Sequence, residues 1–246
     1  MPASSPPATA PHTGQLLLTG QAAAPPGPVD VAGMYLMHRA FRRDLDLFAA
    51  ATTATPIEDR QCWTRLSRRW QLFSSTLHKH HLGEDTGLWP LLLERARGAE
   101  AGAVLAAMSA EHKHIDPLLH ACDTGFATLA RAGDAQVRRD LAGHTAELRD
   151  LLLAHLAHEE RDAMTLVQAH LTQHDWERLD KEHFGAQYSP RDIPAVLGWI
   201  LHGLPPHAVR LMPGGPVLRA AGRVLARRFA RAERRTFHHV SPADRP

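Results

Sequence analysis

From Trp63 to Leu88 the chain places Trp63, Leu66, Trp70, Phe73, Leu77, His80, Glu84 and Leu88 at steps of three or four residues. That spacing sets all eight on one stripe of an α-helix, about seven turns long, with the stripe facing a core. A helix with one apolar stripe must bury it against other elements, so the segment constrains the architecture strongly. Two members of the stripe are not apolar: His80 and Glu84 lie in phase with the tryptophans.

Three further segments carry the same period. A first helix is expected from Asp30, suited to an N-cap, to about Ala51, with Met34, His38, Phe41 and Leu45 on one face. The second runs from Pro56, suited to a first helical turn, to about Arg97. A third spans Glu100 to Ala130, with Leu105, Met108, His112, Ile115 and Leu119 inside. A fourth follows Gly133-Asp134 and ends near Leu171, with Leu141, Leu148, Leu152, His155, Glu159 and Leu166 on its stripe. Ala, Leu and Arg dominate the 246 residues, and strand-favouring side chains are thin. Four amphipathic helices with short connections predict an all-α protein, an antiparallel up-down four-helix bundle over residues 31–171.

Residues 1–30 are rich in Pro, Ala, Ser, Thr and Gly and end in Ala24-Pro25-Pro26-Gly27-Pro28, which reads as a flexible leader; the Gln15-Leu16-Leu17-Leu18 patch is too short to change that. Residues 172–246 read as a helical extension: short helices over Thr172–Phe184 and Ser189–His202, loops at Pro205-Pro206 and Pro213-Gly214-Gly215-Pro216, then a helix from Pro216 to Phe237. This last helix sets Val217, Val224, Leu225 and Phe229 against Arg219, Arg223, Arg227, Arg228, Arg231, Arg234 and Arg235. The ordinary arrangement packs the apolar face on the bundle and solvates the arginines; the alternative is contact with an anionic membrane surface or an acidic protein.

The net charge of +2 gives no reason to expect nucleic acid. No apolar run approaches the roughly 20 residues of a membrane span, and the N-terminus lacks a basic stretch followed by an apolar one. Cys62 and Cys122, in different helices, read as reduced packing thiols rather than a disulfide framework. Cys62 lies roughly 27 Å along its helix from His80, too far to share a site with it. A cytoplasmic monomer is expected. No Gly-rich phosphate loop or nucleotide-binding fingerprint is present, and neither cysteine has an evident base in register.

Histidine, at 18 residues, is the unusual component. Most of these are ordinary surface residues. Two phrases are different: His80-His81-Leu82-Gly83-Glu84 and His155-Leu156-Ala157-His158-Glu159 each set a histidine four residues before a glutamate, so that imidazole and carboxylate leave the same side of a helix. Glu84 and Glu159 fall on apolar stripes, where a carboxylate costs several kcal/mol unless paired or metal-bound. His38 and His112 supply the other two walls. In an antiparallel bundle the early His38 and the central His112 meet the late pairs of the second and fourth helices. Four histidines and two glutamates can hold two transition-metal ions.

The residues His38-Arg39-Ala40-Phe41, the run His80-His81-Leu82-Gly83-Glu84-Asp85 leading into Leu88-Trp89-Pro90, Glu111-His112, and His155-Leu156-Ala157-His158-Glu159-Glu160 together resemble a bacterial hemerythrin-like (HHE cation-binding) domain. The resemblance covers roughly residues 31–171. It implies a non-haem di-iron centre with His38, His80, Glu84, His112, His155 and Glu159 as metal ligands, the two glutamates bridging. The oxygen-carrying members use a His-x-x-x-His pair on the third helix; here Asp116 stands four residues after His112, and His114 points away from the core. A site poorer in histidine and richer in carboxylate is therefore expected, one that favours redox or gas reactivity over reversible carriage. Asp116 reads as an extra ligand, an outer acceptor or a surface residue. Pro117 is expected to bend the third helix. On the second helix His81 competes with His80; the four-residue spacing favours His80 as ligand and leaves His81 beside the pocket. His144 reads as a core or capping residue, and Asp162 as an orienter of a ligand imidazole.

Imidazole with carboxylate suits iron, then manganese, two such ions standing about 3.5–4 Å apart in a bridged pair. The expected function is a di-iron protein that reacts with or senses oxygen, peroxide or nitric oxide, with such a small molecule as its partner. The alternative is a metal-controlled signalling or interaction module that acts through the C-terminal basic helix.

Overall fold

The computed structural model describes residues 17–209 and 216–244. The described residues form helices and turns, with no strand among them. The bundle comprises α1 (Ala32–Ala54), α2 (Arg60–Gly83), α3 (Trp89–Arg95), α4 (Ala99–Arg131), α5 (Ala135–His158) and α6 (Met164–His170). α2 passes into α3, and α5 into α6, through π-helical turns at Glu84–Leu88 and Glu159–Ala163. The expected second and fourth helices are thus each one rod with a one-turn widening.

The ends follow local chemistry. The Asp59 side chain accepts the Cys62 N–H and caps α2, so Pro56 stays outside the helix, where its carbonyl receives the Trp63 indole N–H at 2.9 Å. Asp134 caps α5 by accepting from the amides of Gln136 and Val137. Val31, rather than Asp30, is the cap residue of α1, although Asp30 Oδ1 still accepts the Ala32 N–H. α4 continues without interruption through Pro117.

α2 packs on α4, α4 on α5, and α5 on α1. The stripes meet as expected: Phe48 contacts Trp70, Phe73 and Phe126 edge-on, and Leu148 and Leu152 close the same core. The seam between α1 and α2 is closed by the extension. Its helices are α7 (Gln173–Leu179), α8 (Ile193–Leu201), α9 (Pro206–Val209) and α10 (Pro216–Thr236). α8 and α10 pack on each other, Trp199 reaches Phe41 at 5.1 Å, and Phe237 reaches Phe48 at 5.3 Å. A buried charge cluster ties the seam: Asp44 accepts from Arg43, Arg69 and the Trp199 indole, and Arg69 also binds Glu233 of α10. Burial opposes the Asp44 charge, but Arg69 and Arg43 more than offset it and hold its pKa below the usual carboxylate value.

Several expectations change. Residues 17–30 do not form a loose leader: Leu18, Ala24 and Val29 are buried, and Val29 exchanges backbone hydrogen bonds with the Gln168 amide. The two bonds satisfy backbone groups that a Pro-rich strip could not pair by itself. Gln15 and Leu16, with the rest of residues 1–16, lie outside the described residues, as do Pro213, Gly214 and Gly215. Pro206 opens the short α9 instead of lying in a loop. On α10 the six arginines from Arg223 to Arg235 are exposed, and Leu225 and Phe229 are half-buried, but Val224 faces solvent. The Val217 and Arg219 side chains lie outside the described ones. Among the described residues no helix is long and apolar enough to cross a membrane.

Candidate metal centre

The helical phase of the four stripes brings His38, His80, Glu84, His112, His155 and Glu159 to one level of the bundle, all of them buried. Glu84 and Glu159 each stand at the first position of a π-turn, whose widened bond joins the Trp89 N–H to the Glu84 carbonyl and the Met164 N–H to that of Glu159. π-turns of this kind mark functional positions in helices. Here the extra residue re-aims the side chains downstream of it, while His80 and His155 keep their four-residue partners.

The donors fall into two groups that share Glu84. In the first, His38 Nε2 lies 3.2 Å from His80 Nε2 and 3.2 Å from Glu159 Oε2, and His80 Nε2 lies 3.0 Å from Glu84 Oε1. In the second, His112 Nε2 lies 3.5 Å from Glu84 Oε2 and 3.2 Å from His155 Nε2, and His81 stacks on His112 with ring centroids 3.9 Å apart. Glu159 Oε2 stands between the groups, 4.0 Å from His155 Nε2. Within each group one donor atom per residue lies within 4.8 Å of the others.

His80 and His81 are therefore not alternatives. Each enters one group, so the centre holds five imidazoles and is not poor in histidine. Adjacent helix positions differ by about 100°, and a cluster lying between two walls of a bundle can draw on both. Asp116 and His114 are exposed on α4, away from the centre. His144 is half-buried and belongs to neither group. Asp162 meets His158 at 3.3 Å and Arg161 instead of a central imidazole.

The outer partners follow a pattern that the periodicity did not reveal. The acid directly after each central glutamate crosses to the lone histidine of the next wall: Asp85 Oδ2 lies 2.9 Å from His112 Nδ1, and Glu160 Oε1 lies 3.0 Å from His38 Nδ1. Glu111 binds His155 Nδ1 and His158 Nδ1, each at 2.8 Å. Each of these three carboxylates leaves the opposite nitrogen turned inward, the usual support of a metal-binding imidazole. Glu160 is itself held by both Arg42 nitrogens, at 2.6 and 3.0 Å, and by the Gln21 amide at 2.7 Å. Glu160→Gln is accordingly expected to lower metal affinity by about 10–100-fold while the helix content stays unchanged. A metal titration followed by circular dichroism checks this, and unchanged affinity would refute it.

The extension walls one side. Phe184 and His183, from the π-turn Asp180–Phe184, lie on Gly83 and Gly87, and a Cβ at Gly83 would meet the Phe184 ring at 2.6 Å. Glycine at both positions permits this close approach.

As it stands, the charge balance of the centre is poor. Both oxygens of Glu84 and of Glu159, His80 Nδ1 and both nitrogens of His81 are buried without a properly oriented hydrogen-bond partner. Burial and the neighbouring Glu159 carboxylate push the Glu84 pKa well above the carboxylate range. Burial likewise opposes charge on Glu159, but His38 beside it outweighs this and holds its pKa low. Burial and adjacent imidazoles depress His80, His81 and His112, which keeps them neutral with lone pairs available. So many buried acceptors without an oriented partner, set among imidazoles, make a donor set that fits cation binding.

The fold and the site define a helical-bundle protein whose core is built around a cluster of cation ligands. The sequence model of the hemerythrin HHE cation binding domain matches residues 29–167, and the chain belongs to that family. Cation binding is the property that family and geometry share. Neither the curated proteins nor the solved structures return a match.

Proposed function

We propose that the centre binds two iron ions, with His38, His80 and Glu159 serving one, His81, His112 and His155 the other, and Glu84 joining them, and that it reacts with or senses oxygen, peroxide or nitric oxide. The observation that carries this reading is the set of four buried carboxylate oxygens without an oriented hydrogen-bond partner, packed among imidazole nitrogens. Iron is favoured, with manganese second, because the donors are imidazole and carboxylate without thiolate. When bound, the pair would supply redox chemistry and open positions for a small ligand. The protein's own part is to hold the donors rigid through Asp85, Glu111 and Glu160, and to keep bulk water out with Phe184, Phe41 and Tyr35. Anaerobic loading with Fe(II) should give about two ions per chain, and the absorption spectrum should change on exposure to oxygen, peroxide or nitric oxide. Less than one ion per chain, or a spectrum indifferent to all three molecules, would sink the proposal.

Metal uptake should depend on pH in a defined way. Burial disfavours charge on His38, but Glu159 and Glu160 outweigh it and raise its pKa to about 9. In the metal-free chain that imidazolium stabilises the fold below the unfolded value near 6.5, and the contribution is lost as pH rises through about 9. A metal ion must displace that proton, and any proton that burial keeps on Glu84, so apparent affinity should rise by at least about tenfold per pH unit below about 9. Titrations between neutral pH and that point, with a pH indicator counting the released protons, test this; a flat profile is the contrary result.

The exposed arginines of α10 keep a second reading open, in which the centre controls contact with an acidic partner. Because Phe237 and Trp199 belong to the core, its test is charge reversal at Arg227 and Arg231 rather than truncation.

A further inference from the structure

At the far end of α2, roughly 30 Å along the helix axis from His80, four potential ligands converge that play no part in the centre above. Asp59 and Cys62 stand at the start of α2, and His238 and His239 in the turn that follows α10. One donor atom from each lies within 4.8 Å of the others. Asp59 Oδ2 is 2.9 Å from His239 Nε2 and 3.5 Å from His238 Nε2.

The local hydrogen bonds aim these donors. Asp59 spends Oδ1 on the Cys62 amide at 2.9 Å, which leaves Oδ2 for the histidines. His238 Nδ1 donates to the Arg235 carbonyl at 3.0 Å, which fixes the tautomer and leaves the Nε2 lone pair facing Asp59. The His238 and His239 rings lie against each other, with centroids 3.9 Å apart. Cys62 is buried, its sulfur 3.3 Å from the Thr236 carbonyl on the same side. Two imidazoles side by side, a carboxylate and a thiol make a sulfur–nitrogen–oxygen set from both ends of the fold. Donor atoms around a tetrahedral ion, at bond lengths of about 2.0–2.3 Å, stand about 3.3–3.8 Å apart, so slight contraction would close the cluster.

We propose that Asp59, Cys62, His238 and His239 form a second, mononuclear cation site that takes zinc, fastening the end of the extension to the start of α2. Zinc is the ion for four-coordinate sites of mixed thiolate, imidazole and carboxylate. On binding, the Cys62 S–H proton and any proton on the imidazoles pass to solvent, and no electron is transferred. A closed set of four protein ligands makes the site structural, and zinc bound only by the folded chain raises its unfolding temperature.

The test uses the full chain with Co(II) as probe. Tetrahedral cobalt gives intense visible bands and, with a thiolate ligand, a charge-transfer band in the near ultraviolet. Among the described residues Cys122 joins no such cluster, so the band reports on Cys62. The wild-type chain is expected to show the charge-transfer band, and in Glu84→Gln, where the bundle centre no longer competes, the band should saturate at one Co(II) per chain and be abolished by one equivalent of Zn(II). The band should be absent from Cys62→Ala. Affinity should fall by more than about tenfold in His238→Ala, whose exposed side chain can be removed without unfolding the chain. It should persist in Glu84→Gln, which disables the bundle centre, so failure of the iron reading and failure of this one are separable. No thiolate band in the wild-type chain, a band that survives Cys62→Ala, or full affinity in His238→Ala would overturn the proposal. Should Cys62→Ala not fold, His238→Ala and His239→Ala decide the matter alone.

Discussion

Glu84→Gln is expected to weaken metal binding at both positions of the centre by more than about 100-fold, beyond what losing an outer partner costs. Glu84 is the one residue common to the two donor groups: Oε1 faces His80, and Oε2 faces His112. The same substitution should leave the metal-free chain as stable as the wild type or more so. Its carboxyl is buried, unpaired and pushed toward the protonated form by burial and by Glu159, and exchanging such a group for a neutral one of equal shape removes a liability. Opposite signs with and without metal separate a ligand from a structural residue. Thermal unfolding of both forms, with metal analysis, reads the two quantities together. A metal-free variant that melts well below the wild type while binding normally would show that Glu84 holds the fold and not the ion.

Asp44→Ala is expected to destabilise the chain by about 3–5 kcal/mol, because two buried guanidiniums lose their shared counter-charge. Arg43 and Arg69 converge on this carboxylate, and the Trp199 indole donates to it at 2.7 Å; Glu233 alone would remain for Arg69. In a chain of this size that corresponds to a fall in Tm of about 6–20 °C. Since the Asp44 pKa is held low, its contribution is present above the unfolded value of 3.8 and is lost as the pH falls through the depressed folded value. The difference between the variant and the wild type should therefore shrink in acid. Denaturant unfolding at neutral and acid pH measures both effects, and a loss under about 1 kcal/mol at neutral pH would contradict the proposed tie.

The bundle is legible in the sequence because its helices are long and their stripes regular. Trp63, Leu66, Trp70, Phe73, Leu77 and Leu88 are all buried, as their spacing requires. The central residues are legible for the same reason: a glutamate in phase with tryptophans is too costly to bury unless a cation or another partner meets it. What periodicity misses lies where the period itself changes. The π-turns at Glu84 and Glu159 shift the phase of everything after them, and an ideal-helix projection cannot register that. Helical phase lets both His80 and His81 reach the centre; the four-residue spacing shared with His155 and Glu159 favours one of them, whereas the centre lies between walls and each of the two enters one donor group. Asp85 and Glu160 act across helices, and pairing of this kind depends on packing distance rather than on spacing in the chain. Asp116 occupies a position where analogy suggests a ligand, yet it faces solvent. The order of residues 17–30 comes from tertiary bonds to Gln168 and Glu160, far away in sequence.

The seam between α1 and α2 has a consequence in time rather than in space. Contacts of α2 with α4, and of α4 with α5, close short loops and can form as soon as their segments exist. Phe48 meets Phe237, and Asp44 is completed by Trp199 and, through Arg69, by Glu233, only across most of the chain. Contacts of such long range are the slow ones in folding, and during synthesis they must await the residues up to Phe237. Until then Phe41, Phe48 and the guanidiniums of Arg43 and Arg69 stand uncovered beside His38 and His80. The order of assembly thus leaves a side entrance to the core, and the extension is the part of the protein that shuts it.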